Sequence, residues 1–338
     1  MQVPFLDRLE SELKALSRFA GPLKTIFIGG GTPTLLDISL CKRLLVKMHE
    51  FFDLDTCNEF TVECNPETVS EELLEVLQAG GVNRLSIGAQ SFNPRFLATL
   101  EREHNPDSVI RSLDLAHKTG FTRLSLDLIF AIPGQTLTDW DKDLQMVTDL
   151  ETSHLSCYCL TYEPGTLLWK RREQGQVRET DEEVAAEMYR HTVSFLKERG
   201  FHRYEISNFS LNGQECLHNL VYWRGGEYLA AGPSASGHLN GWRWKNEPDL
   251  RSYFDSTDLS SVVDVEPPDE KRTLVEKLML GLRLNEGVKL NWPAAVKDRL
   301  TELAAEGLLE ISRDNRIRLT ETGFLQCDTV TADLMSYI

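Results

Sequence analysis

The segment Cys216-Leu-His218-Asn219-Leu-Val-Tyr222-Trp223 gathers an imidazole, a carboxamide and two aromatic rings into a short stretch. An imidazole nitrogen is a good axial ligand for haem iron. Tyr222 follows His218 by four residues and shares its face if the segment is helical. An aromatic ring there can pack on a porphyrin plane. The same residues also suit a core histidine hydrogen-bonded to Asn219 among packing aromatics. Chemistry alone leaves both readings open.

A second group lies earlier in the chain. In Ile26-Phe-Ile-Gly-Gly-Gly-Thr-Pro-Thr34 an apolar run ends in three glycines just before a helix pattern begins. Glycine permits positive φ and close approach of a ligand to the backbone. Three later apolar runs each carry a polar residue in or just beyond them: Glu63 in Glu63-Cys64-Asn65-Pro66, Gln90 in Gly88-Ala89-Gln90-Ser91-Phe92, and Asp127 in Leu126-Asp-Leu-Ile-Phe-Ala-Ile-Pro-Gly134. A lone buried carboxylate costs several kcal/mol unless something pairs with it. Several such groups converging at one end of a sheet point to a small polar ligand, with Arg102 as a partner for its carboxylate. This argument yields a site without naming its ligand.

The elements that must position these residues are legible from periodicity. Short apolar runs at Thr25–Ile28, Phe60–Val62, Arg84–Ile87, Leu124–Ile129 and His154–Leu160 alternate with amphipathic stretches near 5–19, 38–52, 70–79, 106–119 and 138–149. That alternation predicts an α/β fold with a parallel sheet covered on both faces. A repeat of roughly 30 residues makes a partial barrel the first choice and an open doubly wound sheet the alternative. The chain opens on a helix carrying Leu6, Leu9, Leu13 and Leu16, so a barrel of βα units would lack its first strand.

Residues 1–165 are thus expected to form the partial barrel. Residues 166–265 read as a mixed α/β extension. It holds a helix over 181–199 whose start, Thr180-Asp-Glu-Glu183, fits a capping box. It also holds a strand around Tyr204–Ile206 and the histidine motif. Residues 266–338 read as helices near 269–283 and 291–306, then a hairpin, which is a winged-helix-like order. Five basic and five acidic side chains between 291 and 320 argue against reading DNA.

Composition narrows the class. The chain has 338 residues and a formal net charge of −16, a field that opposes nucleic acid. No apolar stretch reaches the roughly 20 residues that span a bilayer, and the N-terminus has no signal-peptide pattern. The expectation is a cytoplasmic protein without an integral membrane segment. The seven cysteines are scattered and odd in number, so no disulfide framework is expected. Cys157 and Cys159 are expected to be buried structural thiols.

Together GGGTPT, VECNP, GAQSF, Glu101-Arg-Glu-His104 and LDLIFAIPGQT resemble the HemN/HemW branch of the radical SAM superfamily, over nearly the whole chain. His218-Asn219-x-x-Tyr222-Trp223 is similar to the HNxxYW signature of its haem chaperone members, the HemW type. The resemblance implies a partial (β/α)6 radical-SAM-type barrel and an S-adenosylmethionine pocket. In that pocket Gly30, Gly31 and Thr32 would meet the methionine part, Arg102 its carboxylate, Gln90 and Asp127 the ribose, and Glu63 the amino or sulfonium end. It implies haem bound at His218, Asn219, Tyr222 and Trp223, with His218 on the iron. The function implied is a chaperone delivering haem to client haemoproteins, not an enzyme. The alternative is an oxygen-independent coproporphyrinogen III oxidase, a radical SAM oxidative decarboxylase of porphyrin biosynthesis. The family's C-x3-C-x2-C, which holds a [4Fe–4S] cluster, has no counterpart here. The expectation is therefore an N-terminally truncated chain without iron–sulfur ligands, Met1 being an internal start.

Overall fold

The computed structural model describes residues 1–289, 292 and 294–338. In chain order the first half comprises α1 (Gln2–Leu16), β1 (Thr25–Ile28), α2 (Ile38–Phe51), β2 (Glu59–Cys64), α3 (Glu71–Ala79), β3 (Arg84–Gln90), α4 (Pro94–Thr99), α5 (Pro106–Lys118), β4 (Arg123–Phe130), α6 (Leu137–Thr148) and β5 (His154–Cys159). Then come α7 (Leu167–Glu173), α8 (Glu182–Glu198), β6 (His202–Arg203), β7 (Asn208–Ser210), α9 (Leu217–Trp223), β8 (Ser236–Leu239), β9 (Trp242–Asn246), α10 (Leu250–Asp255) and β10 (Val262–Glu266). The chain closes with α11 (Glu270–Leu282), β11 (Val288–Lys289), α12 (Ala294–Ala305), β12 (Leu309–Ile311), β13 (Arg316–Leu319), α13 (Glu321–Leu325) and α14 (Cys327–Met335).

The main sheet runs β1-β2-β3-β4-β5-β7-β6. β1 to β5 are parallel in sequence order, and the hairpin of β6 and β7 adds antiparallel strands to β5. β1 is the free parallel edge, as expected for a barrel without a preceding strand. The strands alternate strictly. Ile26, Phe60, Val62, Leu85, Ile87, Leu124, Leu126 and Leu155 are buried in one core with Leu44, Leu74, Leu113, Trp140 and Leu144 of the covering helices. The opposite face carries Thr25, Thr61, Arg84, Ser86, Ser125, Asp127, His154 and Ser156, because successive strand residues point to opposite sides. Each fully buried leucine of the outer face contributes about 1.5–3 kcal/mol. Leu124→Ala, at a position with no exposure, is the kind of change that costs about 2–5 kcal/mol.

Local signals fix the helix starts. Ser70 accepts from Leu73 N–H at the start of α3, and Thr136 and Asp139 form a reciprocal capping box on α6. At α8 the expected box at Thr180 is not formed. Asp181 is the cap, accepting from Glu183 N–H, while the Thr180 hydroxyl donates to Ala131 O and ties α8 to the end of β4. The expected strand at Tyr204–Ile206 is also displaced: those residues form the turn between β6 and β7. Glu205 explains why. Buried in the turn, its carboxylate accepts from the Asn208 amide and from Ser207 N–H.

α1 is fastened to the middle of the chain. Glu12, with no exposed surface, accepts from the Tyr253 hydroxyl at 2.6 Å and from Gly232 N–H at 3.2 Å. Arg8 stacks over the Tyr253 ring and donates to Asp258 O at 2.9 Å. At the other end α11, α12 and the sheet β11-β13-β12 give the expected winged-helix order. The expected first residue of its second helix, at 291, lies outside the described residues. Arg203 joins this region to the hairpin of the main sheet through a two-pronged pair with Glu321, at 2.9 and 3.0 Å.

Candidate functional site

The first set of predicted residues lies where four parallel strands end. Gly30 and Gly31 follow β1 with φ of +76° and +112°, and nothing stands within 4 Å of where a side chain would begin. The loop is thus an open backbone cradle that only glycine builds without strain. Gly29 has a different role. A Cβ there would meet the Glu63 carboxyl at 2.6 Å, so its absence lets Glu63 of β2 lean across and accept from Gly30 N–H at 3.0 Å. Thr32 follows in the same loop. Gln90 ends β3 with φ of +62°. Arg102 is exposed in the loop beyond α4, with no side-chain ion pair among the described residues. Asp127 points inward from β4 and accepts from the Ser86 hydroxyl at 3.2 Å. Burial pushes the Glu63 and Asp127 carboxyls up. The Gly30 N–H offsets part of this at Glu63, as the Ser156 hydroxyl and the Arg84 charge do at Asp127.

The second set lies on α9, which packs on the inner face of β1. His218 stacks on Phe27, ring centroids 5.5 Å apart. Its Nδ1 bonds the Thr25 hydroxyl at 2.8 Å and its Nε2 bonds the Tyr222 hydroxyl at 2.8 Å. Its bonding partners are therefore Thr25 and Tyr222, and Asn219, the expected one, faces a cavity instead. Burial holds the imidazole below its ordinary pKa, with Glu59 opposing, so the ring favours the neutral form. Tyr222 stacks edge-on against Tyr228 at 4.6 Å, and His238, remote in sequence, packs against Tyr228 in turn. Trp223 lies on the other side of the helix under the Arg283 guanidinium, 4.6 Å from its ring centre.

The two sets meet across a cavity of about 270 Å3 inside the half-barrel. Glu63, Asp127, Asn219 and Tyr222 line it together with Phe27, Arg84, Ser86, His154, Ser156 and Tyr158. A second cavity of about 200 Å3 lies at Tyr228, Met279 and Leu280, and Tyr222 borders both. Gln90 and Arg102 lie outside the cavity walls, at the strand ends. Arg84, Ser86, His154, Ser156 and Tyr158 were not singled out from sequence. The signal was present: one polar residue at every second position of each strand, the pattern of a sheet with one wet face. Apolar runs read as wholly buried strands conceal it.

The cysteines do not fit an iron–sulfur cluster. Cys41 and Cys64 sit in the outer core, where burial raises their thiols to about 11 and about 12, against the thiolate that iron needs. Cys157 is buried as expected, whereas Cys159 is exposed at the end of β5. Among the described residues no three Cys, His, Asp or Glu side chains converge on a point. The S-adenosylmethionine cradle does fit in part: open glycines follow β1 and two carboxylates stand on β2 and β4, while Arg102 lies in the loop beyond α4.

Comparison with known proteins gives the family and the fold. The family model of the radical SAM superfamily matches residues 2–147, and that of the HemN C-terminal domain matches residues 269–325. The chain is similar to the haem chaperone HemW of Lactococcus lactis subsp. lactis, 36% identical over 311 residues, covering 89% of this chain and 82% of that one. It is 34% identical over 339 residues to the haem chaperone HemW of Bacillus subtilis, covering 95% and 88%. Its fold matches that of coproporphyrinogen III oxidase (HemN) from Escherichia coli, with a TM-score of 0.85 and 23% identity over 100% of this chain and 84% of that one.

Proposed function

The chain belongs to the haem chaperone HemW family of the radical SAM superfamily, and from that premise we propose that it binds haem through α9 and passes it to client haemoproteins. The observation that carries this reading is the setting of His218: a buried imidazole whose Nε2 bonds the hydroxyl of Tyr222, the residue that borders both cavities. Nε2 is the iron ligand, and the Tyr222 hydroxyl leaves it when iron arrives. Asn219 and Tyr222 complete the haem site, while Trp223, expected to share it, lies under Arg283 on the other side of α9. The aromatic rings of Tyr222 and Tyr228 and the flexible Met279 offer packing surface for a flat macrocycle.

At the strand ends, Gly30, Gly31 and Thr32 would hold the methionine part of S-adenosylmethionine and Arg102 its carboxylate. Gln90 and Asp127 would take the ribose hydroxyls. Glu63 lies where a carboxylate favours two positive charges. When bound, S-adenosylmethionine brings an activated sulfonium to this end of the barrel.

Haemin titration tests the assignment. Wild type should give the Soret band of a ligated haem, and His218→Ala should abolish or shift it. His117→Ala, which removes an exposed imidazole from α5, is the control for adsorbed haem. His238 cannot serve, since it packs against Tyr228. Equal spectra for wild type and both variants would defeat the assignment.

A further inference from the structure

Arg84 opens β3 at the floor of the barrel cavity, with only 2% of its surface exposed. Its Nη2 is sealed from solvent and has no hydrogen-bond partner. Among the described residues its side chain forms no ion pair. The acids near this end of the barrel are committed elsewhere. Glu59 pairs with Arg123 at 2.7 Å and accepts two N–H groups of α9. Glu205 holds its own turn through Oε1, which accepts from the Asn208 amide and Ser207 N–H, and its Oε2 faces the Arg283 guanidinium at 3.8 Å. His154, next along the floor, is saturated by the Ser125 and Tyr204 hydroxyls, at 2.8 Å each. A buried guanidinium without an acceptor costs several kcal/mol, and this side chain lines the barrel cavity.

We propose that Arg84 is the anchor for a carboxylate of the bound ligand, so that the barrel floor is an anion site separate from the strand-end cradle. Its neighbours choose the class of anion. The other polar wall groups are neutral (Ser86, Ser156, Asn219, Tyr158), and Glu63 and Asp127 stand further up. One guanidinium facing two acids tolerates a single negative charge and repels a dianion such as phosphate. The planar fork of arginine matches a carboxylate. A cavity of about 270 Å3 admits a propionate-sized arm and leaves a macrocycle outside, against Asn219 and Tyr222. The inference rests on the haem reading for the identity of the ligand, which would enter propionate first.

The test uses iron-free protoporphyrin IX, which removes His218 ligation from the comparison, and its dimethyl ester. Fluorescence titration of the full chain should show the diacid bound at least about tenfold more tightly than the ester. Arg84→Met should lose that difference, and Arg84→Lys should recover part of it. Equal binding of diacid by wild type and Arg84→Met overturns the proposal and leaves the haem reading standing. If wild type binds neither porphyrin, haem binding depends on the iron, and the haemin titration of His218→Ala decides the haem reading. Sodium propionate in a thermal-shift assay then decides: stabilisation of wild type but not of Arg84→Met sustains the carboxylate site, and equal response overturns it. An Arg84→Met chain that cannot fold would show that the protein itself pairs the guanidinium, which also overturns it.

Discussion

The backbone N–H of His218 donates to the Glu59 carboxylate at 2.9 Å, so the motif helix begins on the first residue of β2. Leu217 N–H reaches the other oxygen at 2.9 Å, and the Cys216 thiol donates at 3.3 Å. Arg123 of β4 closes the set at 2.7 Å. One carboxylate without exposed surface thus joins two strands to α9 and sets where His218 stands.

Glu59→Gln should therefore loosen α9 as well as the fold. It leaves Arg123 without its counter-charge, and breaking a buried pair costs about 3–5 kcal/mol. Urea unfolding should show a loss of that size, with weaker haemin binding under native conditions. A loss under about 1 kcal/mol would mean that Glu59 does not anchor the helix.

Tyr222→Phe should strengthen haemin binding. The hydroxyl that occupies His218 Nε2 competes with iron, while the ring supplies packing that phenylalanine keeps. A net hydrogen bond is worth about 0.5–1.5 kcal/mol, so affinity should rise about two- to tenfold. Tyr222→Ala, which loses the ring, should bind less. Soret titrations of the three proteins check this, and weaker binding by Tyr222→Phe would exclude Nε2 as the ligand.

Asp143 should give stability a pH signature. Burial pushes its carboxyl up to about 6, against the bonds it accepts from Phe92 N–H and the Ser91 hydroxyl. The folded value exceeds the unfolded one, about 3.9. The native state therefore binds the proton more tightly, and this contribution is present below about pH 4 and lost as pH rises through about 6. Wild-type stability relative to Asp143→Asn should fall by about 2–3 kcal/mol between pH 4 and pH 7, read from denaturant unfolding at each pH. A flat difference would show that Asp143 does not titrate in this window.

Much of the candidate site was legible before any coordinates. The glycine loop, Glu63, Gln90 and Asp127 stand at consecutive strand ends, because a βα repeat returns each strand end to the same side of the sheet. Arg102 was placed with them, and the structure puts it in the loop between α4 and α5, its side chain exposed. The capping of α8 was misread: Thr180 and Asp181 are both competent caps, and the choice went to Asp181 because Thr180 meets Ala131 O, a residue far away in sequence. The strand at Tyr204–Ile206 failed for a like reason, since Glu205 bonds Ser207 and Asn208 locally and turns the chain.

By itself the sequence determined the parallel α/β order and the apolar positions of its strands and helices, because each is written in spacings of two to four residues. Only the tertiary structure decided what those elements enclose. That Thr25 holds His218 and that Glu59 caps its helix are facts about residues more than a hundred positions apart. No local period records such meetings. They depend on how strands twist and on which side α9 docks, and on that docking rests whether Tyr222 and Arg84 face one cavity.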